Sequence, residues 1–199
     1  MEQEVIRHYD ALIDEGNDPV TDPPPLRDYM NRWDGALFLD ALCLNNQKSV
    51  LEIGVGTGRL AVRTAPLAGH FTGIDISPKT VERARQHLGF CKHATLICAD
   101  FMTYSFSDRF DVIYSSLTFM HIKDKRAAVC KIADLLLPGG LFVLSIDKNP
   151  NPFIEYGSRR LRIYPDSPQE IQDCLRGHFT VRQQYETEAA YIFVSEKPF

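Results

Sequence analysis

The chain has 199 residues, 44% of them hydrophobic, and a formal net charge of -4. This is enough apolar material for one substantial core, and so for one domain spanning residues 1–199. The acid excess gives no global attraction to a phosphate backbone, which makes a nucleic-acid partner unlikely without a local basic patch.

The first residues, Met1-Glu-Gln-Glu-Val, have neither the basic start nor the apolar stretch of a secretory signal, and a cytoplasmic location is expected. A short helical pattern around residues 5–13 leads into a linker, residues 16–25, whose glycine and prolines cannot sustain a helix. From residue 26 to residue 44 the positions Leu26, Met30, Trp33, Leu37, Ala41 and Leu44 recur at helical spacing, which predicts one helix.

Strand-length apolar runs then alternate with helical segments. The runs are residues 49–53, 71–75, 95–99, 110–114 and 141–146. Ser77-Pro78 starts a helix that runs to about residue 88. A second helix, about residues 123–137, is expected to stop in a turn at Pro138-Gly139-Gly140. Ser167-Pro-Gln-Glu170 reads as a capping box opening a helix that ends near Gly177.

Residues 180–186 and 190–196 are strand-like and too close together for a crossover helix, so they pair antiparallel. The expected fold is a three-layer α/β sandwich of Rossmann-like type. Its seven-stranded sheet is mostly parallel, with one antiparallel strand near the C-terminus and helices on both faces. The longest apolar runs, such as residues 141–144, fall far short of the roughly 20 residues that span a bilayer, so no membrane segment is expected. Five widely spaced cysteines without a Cys-x-x-Cys pair point to neither a disulfide framework nor a zinc site.

The most informative segment is Val50-Leu-Glu-Ile-Gly-Val-Gly-Thr-Gly-Arg-Leu-Ala61. Gly54, Gly56 and Gly58 behind a buried strand let the backbone turn tightly and approach a ligand closely. The third glycine comes one residue too early for the dinucleotide fingerprint G-x-G-x-x-G, which disfavours a nicotinamide-dependent oxidoreductase. Asp75 ends the second strand, where a carboxylate can accept hydrogen bonds from both ribose hydroxyls of a nucleotide.

With Glu52 ahead of the glycines, the segment resembles the first motif of class I S-adenosylmethionine-dependent methyltransferases, and the likeness runs in order over about residues 48–147. The resemblance implies S-adenosylmethionine as cofactor, held by Glu52, Gly54, Gly56, Gly58, Asp75 and Ile76. It also implies that Asp100 holds the adenine amino group, that Phe101 packs on the ring, and that Ser115 belongs to the loop over the methyl group. His121 then lies near the acceptor, either as a general base or as a histidine bonding a backbone carbonyl or the cofactor edge.

Residues 1–44 would form an N-terminal lid and helix region, with Arg32 a candidate partner for the methionine carboxylate and Trp33 reading as core. Residues 149–165 carry Arg159, Arg160 and Arg162, which suit either an acidic acceptor or a solvated strand edge. Neither the Asp-Pro-Pro-aromatic motif of base-amino methylation nor the acid needed for a magnesium site follows the fourth strand, and no metal is expected. The reading is thus a methyltransferase acting on a small molecule, as a monomer or homodimer. A catalytically silent cofactor-binding module is the alternative that the residues leave open.

Overall fold

The computed structural model describes residues 2–199. Seven strands form one sheet in the order β3-β2-β1-β4-β5-β9-β8. They are β1 Ser49–Ile53, β2 His70–Asp75, β3 Ala94–Cys98, β4 Phe110–Ser116, β5 Leu136–Asp147, β8 Thr180–Glu186 and β9 Ala190–Glu196. Neighbours from β3 through β5 run parallel, and β9 is antiparallel to both β5 and β8. The sheet expected from the sequence, with its single reversed strand, is the one found.

Alternation along the central strands sets the two faces. Leu51, Ile53, Ile113, Phe142 and Leu144 belong to a core shared with α6 Lys125–Leu135 and α7 Pro168–Leu175. Val50, Val112, Tyr114 and Val143 belong to the opposite core, with Phe38 of α3 Gly35–Ala41 and Ala61 of α4 Ala61–Thr64. Strands buried on both faces read as nearly continuous apolar runs, which is why they were visible in the sequence. After β1 the chain builds outward through β2, α5 Pro78–His87 and β3, then returns to β4 on the other side of β1. A crevice opens where the order reverses, at the carboxyl ends of β1 and β4.

Three local expectations are corrected. Residues 26–44 form two short helices, α2 Pro24–Met30 and α3, and the Asp34 carboxylate caps the second by accepting from the Gly35 N–H at 2.8 Å. The apolar period runs through this break, so periodicity alone hid it. Pro138, Gly139 and Gly140 lie inside β5 and not in a turn before it. They belong to an irregularity in which four residues of β5, 137–140, lie opposite the single residue Asp111 of β4, between the pairs Leu136–Phe110 and Leu141–Val112, with Gly139 at φ +72°. Ser167 stands at the start of α7 but its side chain makes no capping bond there.

Outside the sheet, β6 Phe153–Tyr156 and β7 Arg159–Arg162 form a hairpin, and α1 Glu2–Asp14 lies over the crevice. Among the described residues, no helix is long and apolar enough to cross a membrane. Lys125 ties the crevice rim together. Its ammonium pairs with Asp166 at 2.8 Å, donates to the Tyr164 carbonyl at 3.1 Å, and donates also to the Phe119 carbonyl.

Both side chains of the Lys125–Asp166 pair are 2% exposed, so removing one charge strands the other. Lys125→Met is expected to cost about 3–5 kcal/mol in urea unfolding. A loss under about 1 kcal/mol, the value of a surface pair, would show that the pair is not desolvated.

Candidate active site

The glycine loop between β1 and α4 forms one wall of the crevice. Gly54, Gly56 and Gly58 all have positive φ, at +78°, +53° and +96°. A Cβ at Gly54 would overlap Thr118 Oγ1 and lie 2.6 Å from its Cγ2, so the loop after β4 can approach only a glycine. A Cβ at Gly56 would meet nothing within 4 Å, which leaves the backbone there open toward the cavity.

Asp75 ends β2, and its carboxylate is already engaged by the chain. Oδ2 accepts from the Gly56 N–H at 2.9 Å, and Oδ1 from the Ser77 N–H at 3.0 Å and the Thr80 hydroxyl at 3.3 Å. Burial pushes its pKa up against the pull of these bonds. Ser77 caps α5 as expected, through Thr80, but Asp75 shares in ordering the same turn.

Glu52 is 4% exposed and accepts from the Tyr114 hydroxyl at 2.8 Å; that hydroxyl is also 2.7 Å from Thr64 Oγ1. Burial raises the Glu52 pKa to about 8, opposed first by the Tyr114 bond and then by the charge of Arg59. Arg59 lines the cavity and is clamped by both carboxylate oxygens of Asp34, whose Oδ2 also accepts from Ser116 Oγ at 2.9 Å. The sequence reading assigns this arginine no role. Its place directly after the third glycine was the available signal.

At the far side, Asp100 Oδ1 accepts from the Met102 N–H at 2.8 Å. The Lys131 ammonium sits 5.1 Å from the Phe101 ring centroid and donates to the carbonyls of Met102 and Tyr104 at 3.2 and 2.6 Å. Sequence reasoning missed this lysine, because nothing in the spacing links α6 to the loop after β3. Above the crevice, the Tyr9 hydroxyl of α1 lies 2.7 Å from His121 Nε2, while His121 Nδ1 is buried without a partner. Burial, then the charges of His8 and Lys125, lower the His121 pKa to about 4.

A cavity of about 700 Å³ is lined by Glu52, Gly54, Gly56, Asp75, Ile76, Asp100, Phe101 and His121, all anticipated from the sequence. Three expected residues do not reach it. The Ser115 hydroxyl is fully buried and donates to the Ile53 carbonyl at 2.9 Å, so it joins β1 to β4, while Ser116 and Leu117 line the cavity instead. Gly58 packs under α5, where an added Cβ would lie 3.7 Å from Ala84 Cβ. Arg32 pairs with Glu188 at 3.0 Å and stacks over Tyr29, away from the cavity. Trp33 packs against the core, as read. Among the described residues, no cluster of three or more His, Cys, Asp or Glu side chains could hold a metal ion.

A switch-point crevice with a positive-φ glycine loop and an acid at the end of β2 defines a nucleotide-binding α/β sandwich. Residues 51–144 match the family model described as Methyltransferase domain, and this match supports a class I S-adenosylmethionine-dependent methyltransferase. This match favours the methyltransferase reading over the nicotinamide-dependent one.

Among curated relatives, the O-methyltransferase cnsE of Penicillium expansum is 34% identical over 140 residues, covering 64% of this chain and 50% of its own length. The ubiquinone biosynthesis O-methyltransferase of Thiobacillus denitrificans is 31% identical over 111 residues, covering 54% and 48%. The chain thus spans about half the length of the curated relatives it matches. The N-methyltransferase NodS of Bradyrhizobium japonicum, solved with S-adenosylhomocysteine, has the same fold at a TM-score of 0.71 and 20% identity, covering 96% of this chain and 98% of its own.

The two displaced pKa values act on stability in opposite directions. His121 titrates at about 4 when folded against 6.5 unfolded, so the unfolded chain binds more protons between those values. Its contribution is full above pH 6.5 and is lost as pH falls toward 4, by up to about 3 kcal/mol. Glu52 titrates at about 8 against 4.5, so its contribution is full below pH 4.5 and is lost as pH rises through 8. The slopes oppose each other between 4.5 and 6.5, and only variants separate them. Urea unfolding of His121→Gln should show a flattened acid limb and of Glu52→Gln a flattened alkaline limb. Limbs unchanged from wild type would place both groups in water.

Proposed function

We propose that this protein transfers a methyl group from S-adenosylmethionine to a small molecule held beneath α1. The observation that carries the reading is the covered cavity itself. The glycine loop, Asp75 and Asp100 line it together with Tyr9 and His121. Its volume is in the range of small-molecule sites. The O-methyltransferase relatives support an acceptor of this size, and the reading requires no assembly beyond a monomer or homodimer, acting in the cytoplasm.

The open backbone at Gly56 and the buried carboxylates fit the cofactor, which supplies an electrophilic methyl group when bound. Asp75 would accept from the ribose hydroxyls, Asp100 from the adenine amino group, and Phe101 and Ile76 would pack on the ring. Glu52 and the Arg59–Asp34 pair flank the position left for the amino-acid portion. Alignment in a dry site can supply about 7–11 kcal/mol of the barrier, so positioning is the main work of the chain. Where the acceptor must lose a proton, His121 takes it, held in place by Tyr9. Residues 1–44 serve as the lid region of a single domain.

Asp75→Ala removes a charged acceptor and also frees the Gly56 N–H, so calorimetric affinity for S-adenosylhomocysteine should fall about tenfold to a hundredfold. Wild type at about a hundred times Kd should gain roughly 2.7 kcal/mol of stability, and NADH should give none. Binding of NADH, or unchanged affinity in the variant, would sink the reading. Deleting residues 1–33 should abolish transfer and keep the sheet, because the buried members of both cores lie beyond that point. Full turnover by the truncated protein would remove the lid role.

A further inference from the structure

The part of the cavity away from the glycine loop is walled by Leu12, Ile13, Met30, Met120, Ile122 and Tyr156. These are apolar or aromatic, and they come from α1, α2, the turn after β4 and the β6–β7 hairpin. The hairpin arginines do not join them. Arg159 pairs with Glu15 at 2.6 Å, and Arg160 lies over the Phe153 ring at 3.6 Å and near Glu155 at 3.8 Å. None of the hairpin arginines lines the cavity, so the acidic-acceptor reading of that segment loses its basis.

The charged groups that do line the cavity offer little to a charged acceptor. Arg59 is closed by Asp34, while Lys123, Asp124 and Glu2 are all exposed to solvent. Glu52, Asp75 and Asp100 are acids, which disfavour a second anion, and each already accepts from the chain. A cation would meet the sulfonium of the donor, and the Lys125 ammonium nearby is already paired with Asp166. A charge placed against this wall would be desolvated without a partner, at a cost far above that of a neutral group.

One unmet polar atom stands on the wall. His121 Nδ1 is buried without a partner while Nε2 is committed to Tyr9. If Tyr9 donates to Nε2, then Nδ1 carries a hydrogen and needs an acceptor; in the other tautomer Nδ1 needs a donor. A hydroxyl satisfies both cases. An ammonium or a carboxylate satisfies only one.

Resting on the methyltransferase reading, we infer that the acceptor is an uncharged, largely apolar molecule that presents a hydroxyl to His121. The test is calorimetric titration of the full chain, saturated with S-adenosylhomocysteine, with three probes of matched shape: 2-naphthol, 2-naphthoate and 2-naphthylmethylammonium. The neutral hydroxyl should bind at least tenfold more tightly than either charged probe. It should also bind about threefold to tenfold more tightly than naphthalene, a margin that His121→Phe removes. Either charged probe binding as tightly as the naphthol, or none of the three binding, overturns the inference while leaving the methyltransferase reading intact. Failure of S-adenosylhomocysteine itself to bind would overturn both.

Discussion

The hydrogen bond from the Gly56 N–H to the Asp75 carboxylate is the constraint on which the site depends. It ties the glycine loop to the end of β2, and the same carboxylate orders the turn that starts α5. The loop can take this course only because Gly54 and Gly56 hold positive φ, and because Gly54 has no Cβ where Thr118 passes. Three segments far apart in sequence, after β1, after β2 and after β4, thereby converge at the switch point. Asp75 is thus a structural member and a proposed ligand at once, which a sequence reading of it as a waiting acceptor does not capture.

Around that junction the protein concentrates acid. Burial raises the pKa of Glu52, the charges of Asp34 and Asp75 add to the rise, and the Tyr114 hydroxyl and Arg59 oppose it. A cationic group placed beside Glu52 would favour its charged form. The apolar wall opposite sets a different condition for the molecule that meets it.

The legible part of this structure was the part governed by periodicity and by glycine. Strands buried on both faces, the Ser77-Pro78 start of α5 and the closing hairpin β8–β9 follow from local pattern, and the glycine loop with Asp75 follows from spacing. The rest was set by tertiary contact. The break at Asp34 exists because its carboxylate serves Gly35, Arg59 and Ser116 together, and no window of sequence holds all four. Ser115 and Ser116 differ by one residue, yet strand alternation turns one hydroxyl to Ile53 and the other to the cavity side. Arg32 pairs with Glu188 away from the cavity, whereas the Asp34 clamp holds Arg59 at the cavity wall.

The cover and the floor of the cavity share one helix. Asp10 of α1 accepts from Ser77 Oγ at 2.6 Å and from the Lys79 N–H at 3.1 Å, at the start of α5. Asp14 pairs with Lys79 at 2.5 Å, and Asp18 reaches His87 at 2.7 Å near the other end. Lys79 and Asp14 are well exposed, and pairs of that kind contribute about 0–1 kcal/mol. The part-buried contact of Tyr9 on His121 holds α1 over the cavity. Helix α1 is therefore seated along the helix that follows Asp75 at one side and tied to the turn after β4 at the other, so that any molecule that bonds His121 Nε2 must compete with Tyr9.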